Sequence, residues 1–568
     1  MLLSNLNVFA TAPGGVARLR ELILTLAVQG KLVPQDPKDE PASALLKKIR
    51  AEKDRLIAEG KIKRDKPLAE VGEEEKPFAL PRGWKWQTLT EVGAWAIGSG
   101  FPHEAQGRGG LPILFAKVSD MNLPGNELEI VRTNHTIDDE TVERLRINVH
   151  QAGTVIFPKI GGAIATNKRR VLVRPTAIDN NCLGITPSAA MSTSYLFLLL
   201  SSIDFTVYQA GTSVPALSQG TLGQIPVGLP PFAEQSRIVT RVEELMRLCD
   251  ALEAKGQLEA TQHARLVSTL LATLTESETP AQLADNWHRI ATHFDLLLDR
   301  PEAVDALEQT ILQLAVRGLL VPQDPQDEPA SVLLKKIRAE KDKLVAEGKI
   351  KRDKPLPPIA EDEQPFVLPK GWSWARFPEL GEFGRGKSKH RPRNDPALFN
   401  PPKYSLIQTG EVSRAKGVVQ EVHSYYSDLG LAQSRMWPKG TLCITIAANI
   451  AESAVLGFDS CFPDSVVGFV PADAMGNVEY FLLFVETARA DLLAFAPATA
   501  QKNINLEILS SLIIPVPPMN ELTRIATRVG QLRRLCADLR QRLTASQSTQ
   551  AHLAEALVDT VASGLPVA

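Results

Sequence analysis

The chain is poor in the residues that usually announce a chemistry. Aromatic side chains make up 6% of it, and cysteine occurs five times, at Cys182, Cys249, Cys443, Cys461 and Cys536. No two of these stand close enough to read as a metal-ligand pair or a disulfide framework, and this spacing fits a reducing, cytoplasmic setting. The nine histidines form no ligand constellation and no nucleophile–base pair with a serine or cysteine. Long apolar runs are also missing. The longest candidate, Tyr195 to Leu200, falls far short of the ~20 residues a membrane span needs. The N-terminus shows no basic start followed by an apolar run and a small-residue cleavage site, so no secretory leader is expected. Neither sign of charge is in excess, with 63 Lys and Arg against 65 Asp and Glu and a net charge of −2. A basic balance is the usual footprint of a nucleic-acid reader. Any DNA contact must therefore come from locally segregated charge or from a partner subunit. What remains is a chain of 568 residues with ordinary composition, 44% hydrophobic and 23% charged, long enough for several domains.

What is present is a repeat. Residues 19–86 return at 307–374 with an offset of 288 and no gap. Asp39-Glu40-Pro41-Ala42-Ser43 returns as Asp327-Glu328-Pro329-Ala330-Ser331. Leu80-Pro81-Arg82-Gly83-Trp84-Lys85-Trp86 returns as Leu368-Pro369-Lys370-Gly371-Trp372-Ser373-Trp374. More than a hundred barely similar residues follow each copy. A period this long is a domain duplication, since solenoid periods run roughly 20–50 residues.

Within the repeated frame, Leu19, Leu22, Ile23, Leu26 and Ala27 fall at helical spacing, and Gly30 with Pro34 reads as a helix stop. Pro41-Ala42-Ser43 opens a second helix to Glu59-Gly60, followed by a polar linker from Lys61 to Pro77. After each insert a further element repeats. Pro230-Pro231-Phe232-Ala233-Glu234-Gln235-Ser236-Arg237-Ile238 matches Pro517-Pro518-Met519-Asn520-Glu521-Leu522-Thr523-Arg524-Ile525. Heptads follow: Ile238, Val242, Leu245, Cys249 and Leu252 in the first, and Ile525, Val529, Leu532, Cys536, Leu539 and Leu543 in the second. Leu266 with Leu270, and Leu553 with Leu557, resume the two seams. A 4-3-4-3 apolar stripe is a coiled-coil seam, and the matched phase favours two helices packed on each other over two helices each packed on its own domain. The inserts carry short apolar runs broken by glycine and proline: Gly153–Pro158, Arg170–Val173 and Gly440–Ile446 read as strands, Tyr195–Leu200 and Val478–Val485 as helices. Each insert is an α/β domain.

Two chance resemblances to catalytic motifs are set aside. Gly381-Glu382-Phe383-Gly384-Arg385-Gly386-Lys387-Ser388 has the spacing of a phosphate-binding loop, but Arg376–Leu380 is a poor strand before it and Lys389–Arg393 a poor helix after it. Asn400-Pro401-Pro402-Lys403 grazes the Asn-Pro-Pro-aromatic motif of adenine-N6 methyltransferases, with Lys403 where the base-stacking aromatic belongs. No catalytic arrangement is found.

The repeated Leu-Pro-x-Gly-Trp-x-Trp, the Pro-Pro-x-x-Glu-x-x-Arg-Ile helix start, the duplicated heptads and the two divergent inserts together resemble the specificity subunit of type I restriction–modification systems. Ala210–Ser218 before Ile225-Pro226-Val227, and Thr499–Asn505 before Ile514-Pro515-Val516, also look like that family's domain exits. The resemblance covers essentially the whole chain. It implies two α/β target recognition domains, related by a pseudo-two-fold and joined by long antiparallel coiled-coil helices. Residues 1–88 are then an N-terminal repeated helical region and 89–229 the first recognition domain. Residues 230–376 are a central coiled-coil helix with the second helical copy, 377–516 the second recognition domain and 517–568 the C-terminal coiled-coil helix. The family implies a non-catalytic subunit that reads double-stranded DNA at a bipartite, asymmetric target. It implies two methyltransferase subunits and two restriction subunits as partners and no membrane. No cofactor is expected in this chain; S-adenosylmethionine, ATP and Mg belong to the partners. The alternative is a scaffold whose two domains bind two proteins and no DNA.

Base edges in the major groove are read by Arg or Lys at guanine and Asn or Gln at adenine, while phosphate contacts set register. In the first insert Lys159, Lys168, Arg169 and Arg170 flank Gly161-Gly162. In the second, Arg385, Lys387, Lys389, Arg391 and Arg393 form the densest basic stretch, with His390 among them. Gln501, Lys502, Asn503 and Asn505 make a polar cluster suited to base edges. Each of these is otherwise a solvated surface loop. The repeated Lys47–Asp54 and Lys335–Asp342 segments have mixed charge and near identity, which points to a job common to both halves, docking to identical partner subunits, or to a solvated helical arm.

Overall fold

The computed structural model describes residues 6–62, 71–211, 214–352, 355–390, 392–415, 417–447, 449–476, 478–494 and 504–563. The chain divides into two units, one made of residues up to 258 together with those from 547 onward, the other of residues 259–546. The division falls inside both long helices, Phe232–Thr275 and Met519–Ser563.

In the first unit the helix Gly15–Val28 buries Leu19, Leu22, Ile23, Leu26 and Ala27. Gly30 ends it at a φ of 68°, in the left-handed region. A Cβ there would stand 2.5 Å from Pro81 Cγ and 2.8 Å from the Trp84 ring, so the turn needs glycine for conformation and for space. Gly318 repeats the arrangement against Pro369 and Trp372. This is why the glycine and the distant Leu-Pro-x-Gly-Trp motif are copied together.

The helix Ala42–Ala58 buries Leu45, Leu46 and Ile49. Its Glu52 accepts from Ser188 Oγ and from Ala189 N at 3.0 Å, and its Lys53 Nζ donates to Thr90 O at 2.9 Å. In the second unit the helix Ala330–Ala346 does the same. Glu340 accepts from Asp473 N at 2.8 Å and Ala474 N at 3.2 Å, and Lys341 Nζ donates to Gly381 O at 2.8 Å. Part of the near identity of the two mixed-charge segments therefore has an internal cause: each clamps its helix onto its own recognition domain. Lys47, Asp54, Lys335 and Asp342 stay exposed.

The inserts share one topology. In the first, a five-stranded sheet runs in the order Gly93–Ile97, Cys182–Pro187, Val155–Pro158, Arg170–Leu172, Glu129–Ile130. In the second the order is Gly381–Arg385, Val466–Pro471, Leu442–Thr445, Ser453–Leu456, Val418–Val419. A four-stranded sheet runs Thr136–Ile137, Ile113–Ala116, Thr176–Ile178, Val149–His150 in the first, and Ser424–Tyr426, Tyr404–Leu406, Ser460–Cys461, Met436–Trp437 in the second. Counted along the chain, the strands take the same places in both. The parallel pairs also correspond, Leu114 with Thr176 against Leu406 with Cys461, and Glu129 with Val171 against Val418 with Val455. The expected strands and helices appear, with Tyr195–Leu200 inside Thr193–Ser202 and the second insert's helix at Glu479–Ala494.

Each insert enters and leaves at one place, because the strand just before it pairs antiparallel with its last strand: Lys85–Thr88 with Pro226–Leu229, and Ser373–Arg376 with Ile513–Val516. A buried lock ties this doorway to the long helix. Trp84 Nε1 donates to Glu234 Oε2 at 3.1 Å, Gln35 Nε2 donates to Glu234 Oε1 at 3.3 Å, and Arg237 pairs with Asp39. The second copy has Trp372 to Glu521 at 3.0 Å, Gln323 to Glu521 at 2.8 Å, and Arg524 to Asp327 at 2.7 Å. Burial raises the carboxyl pKa of Glu234 and of Glu521.

The heptad positions enter these cores. Ile238, Val242, Leu245 and Cys249 lie in the first unit's core beside Leu22, Ile23 and Leu26, and Ala554 with Leu557 from the end of the second long helix joins them. In the second unit Ile525, Val529 and Cys536 share a core with Val304, Leu307 and Ile311, joined by Val267, Leu271 and Leu274 from the end of the first long helix. Of the resumed seam positions, Leu270 and Leu557 pack against the cores as expected, and the first member of each pair does not. Leu266 and Leu553 are 51% and 50% exposed, while Val267 and Ala554 are buried. Cys249 packs in the first unit's core and Val267 in the second's, so the first long helix changes the core it serves between them and a seam extrapolated along it need not keep its face.

Candidate nucleic-acid interface

The basic residues picked from the first insert are mostly committed to the fold. Arg169 is 2% exposed. Its guanidinium donates to Leu200 O at 3.0 Å, Lys168 O at 3.1 Å and Ile203 O at 3.3 Å, capping the carbonyl end of Thr193–Ser202, and it lies 4.1 Å from the Phe205 ring centroid. Burial lowers its pKa to about 9, which leaves it charged at neutral pH. Arg169 is therefore corrected from a DNA-facing cation to an internal brace. A run of charges in sequence does not show that one member turns inward to satisfy a helix end. Its neighbour Arg170, half-buried, donates to Arg169 O at 2.7 Å and Met121 O at 2.9 Å. Lys168 Nζ donates to Asn122 Oδ1. Lys159 is half-buried beside the glycine pair.

The second insert's basic stretch is more open. Lys387 and Lys389 are exposed, and their backbone is fixed through Ser434 Oγ to Lys387 O at 3.0 Å and Lys389 N to Gln433 Oε1 at 2.6 Å. Arg385 and Arg393 both turn to Asp464, the first to its carbonyl and the second to its carboxylate at 2.9 Å. His390 Nε2 lies 2.7 Å from Asp395 Oδ2. Asn505 caps the helix Leu506–Ser511 by accepting from Ile508 N at 2.8 Å. Arg391, Gln501, Lys502 and Asn503 lie outside the described residues.

The segment with phosphate-loop spacing is a sheet strand through Gly381–Arg385, preceded by the short helix Phe377–Leu380, so its backbone N–H groups are not gathered into a cradle. At the Asn-Pro-Pro-Lys segment, Lys403 Nζ is paired with Asp428 at 2.8 Å. Among the described residues no group of His, Cys, Asp and Glu is arranged to hold a metal ion. No helix of the described residues is long and apolar enough to cross a membrane.

Two domains of one fold and unlike sequence, set in a copied frame, make a protein that presents two different recognition surfaces. The comparisons agree. Residues 110–262 and 369–546 match the type I restriction modification DNA specificity domain. The chain is 35% identical to the type I restriction enzyme EcoEI specificity subunit of Escherichia coli over 96% of its own length and 93% of that protein. It is 34% identical to the EcoAI specificity subunit of Escherichia coli with the same coverage. A chain from a solved structure concerned with complex assembly and conformational transition of the type I R-M system aligns over 86% of this chain and all of its own length, at 17% identity and a TM-score of 0.49. This chain belongs to the type I restriction–modification specificity subunits and supplies DNA sequence specificity to such a system. That sets aside the reading as a scaffold without DNA.

Proposed function

We propose that the two recognition domains read the two halves of a split, asymmetric DNA target, one domain to each half. The observation that carries this is the pairing of identical strand order with unlike sequence. Identical topology presents loops from equivalent places, and unlike loop sequences give unlike base contacts. The long helices join the readers and set the spacer between half-sites. The contact set in the second domain is Arg385, Lys387, Lys389, Arg391 and Arg393 with Gln501, Lys502, Asn503 and Asn505. In the first it is Lys159, Lys168 and Arg170, the last two also bonded to Asn122 and to the Met121 carbonyl.

The partners in this reading are two methyltransferase subunits, which bring S-adenosylmethionine to adenine N6, and two restriction subunits, which bring ATP and Mg for translocation and cleavage in the cytoplasm. The exposed Lys47, Asp54, Lys335 and Asp342, alike in both halves, are the docking surface for a partner present twice. A gel shift with the methyltransferase subunit present tests the reading. Sequence-specific binding that weakens steeply with salt is expected. Binding indifferent to sequence would overturn it.

A further inference from the structure

The first recognition domain presents a loop that the charge pattern of the sequence does not single out. It connects Gly93–Ile97 to Ile113–Ala116, from the first strand of the five-stranded sheet into the four-stranded sheet. The same connection in the second domain, from Gly381–Arg385 to Tyr404–Leu406, carries Lys387 and Lys389. The glycines that launch the two loops fix the register. Gly93 and Gly381 start the two strands, and a Cβ on either would stand 2.4 Å from Thr186 O or 2.1 Å from Val470 O. Gly98 and Gly386 follow the strands, and a Cβ on either would meet Asp179 O at 1.9 Å or Pro463 O at 2.3 Å. Both pairs keep the 288-residue offset of the frame. The echo thus reaches into the inserts as far as the first residue of this loop, and similarity stops there.

The first domain's loop is held firmly by its backbone and left open at its tip. Gly107 N donates to His135 Nδ1 at 2.9 Å, Thr136 N donates to Arg108 O at 2.8 Å, and Leu111 N donates to Thr136 Oγ1 at 3.0 Å. Phe101 packs edge-on to Phe115 and tilted on His135, with its centroids 5.1 and 4.8 Å away. Burial lowers the His135 pKa, keeping the ring neutral and Nδ1 an acceptor. Gln106 and Arg108 flank Gly107, all three exposed, and neither the Gln106 amide nor the Arg108 guanidinium has a hydrogen-bond partner among the described residues. Gly107 and Gly110 take positive φ of 76° and 82° with open space where a Cβ would be. A fixed backbone bearing an amide and a guanidinium without hydrogen-bond partners, the guanidinium lying in the field of Glu104 and Asp138, suits bidentate readout, Arg at guanine and Gln at adenine. By contrast Lys168, Arg169 and Arg170 all bond to groups of their own domain, Arg169 from a buried position.

We propose that Gln106 and Arg108 are specificity-determining residues that contact base edges in the half-site read by the first recognition domain, from the loop equivalent to the one bearing Lys387 and Lys389. This rests on the reading that each domain serves one half-site. The test uses the full chain with its methyltransferase subunit. Arg108→Ala, Gln106→Ala and the Lys387→Ala/Lys389→Ala double variant are compared with the unaltered chain by methylome sequencing. Affinities are measured for cognate DNA and for DNA with each base pair of the site substituted. Arg108→Ala and Gln106→Ala are each expected to lower discrimination at one or two positions of the same half-site by roughly 5- to 150-fold, the ratio for 1–3 kcal/mol, and to leave the other half unchanged. The double lysine variant is expected to affect only the other half. Unchanged discrimination at every position overturns the proposal, and so does a uniform loss of affinity with ratios preserved, the mark of a phosphate contact. Thermal unfolding of each variant, expected to match the unaltered chain, shows that the effect is not misfolding. A wild-type motif without two halves would instead overturn the two-domain reading, whatever the variants do.

Discussion

The indole of Trp84 donates to a carboxylate of Glu234 that is 1% exposed, and the same bond joins Trp372 to Glu521, also 1% exposed. The two bonds span 150 and 149 residues, the one-residue difference being all that separates the lengths of two inserts with little sequence in common. Each bond fastens a recognition domain's doorway to the start of a long helix. Trp84→Phe or Trp372→Phe should leave a buried carboxylate short of a donor and destabilise its unit by roughly 1.5–3 kcal/mol. Chemical denaturation checks this, with the two units expected to respond separately to the two variants.

The same carboxylates give stability a pH dependence. Burial raises the folded pKa of Glu234 and Glu521 above the ordinary glutamate range. The folded state then holds protons that the unfolded state gives up. Their contribution is fully present below the unfolded pKa and declines as pH rises through the folded value. The Glu234→Gln/Glu521→Gln double variant should flatten the fall in unfolding free energy from the ordinary glutamate range upward. Denaturation curves at a series of pH values measure the slope, and an unchanged slope would show that other groups set it.

Arg169 supports the first recognition domain from inside. Arg169→Met removes the donors to Leu200 O and Ile203 O and should cost roughly 1–3 kcal/mol of stability. DNA affinity per folded molecule should stay the same, because the guanidinium faces the core. Thermal unfolding and a gel shift at low temperature separate the two effects.

The long helices give the spacer a handle. Gly256 lies within Phe232–Thr275 with open space around its Cα. Four residues inserted there add ~6 Å of helix, near two base-pair steps, so the recognised spacer should lengthen. Methylome sequencing of the insertion variant reads the spacer directly, and an unchanged spacer would show that the helices do not set it.

The frame was legible because copied residues have copied jobs. Gly30 with Trp84 and Gly318 with Trp372 each make one contact, so the repeat shows both members. The shared topology of the inserts was not legible, because a sheet requires only that Ile156 or Cys443 be apolar and buried, and many sequences satisfy that. Gly93, Gly98, Gly381 and Gly386 carried the register into the inserts, yet a glycine pressed against a carbonyl cannot be told from a turn glycine by sequence alone. Charge density pointed to Arg169, which is internal, and passed over Arg108, which stands alone among glycines. Whether a polar side chain is left unpaired on a fixed backbone is visible only in the structure, which shows which groups are paired.

The central claim is that one fold reads two different half-sites. Methylome sequencing of cells with and without this subunit, in the presence of its methyltransferase partner, tests it most directly. The expected result is a methylated motif that depends on this chain, with two unlike halves separated by a fixed run of unread bases. A perfect palindrome, or one uninterrupted motif, would contradict it.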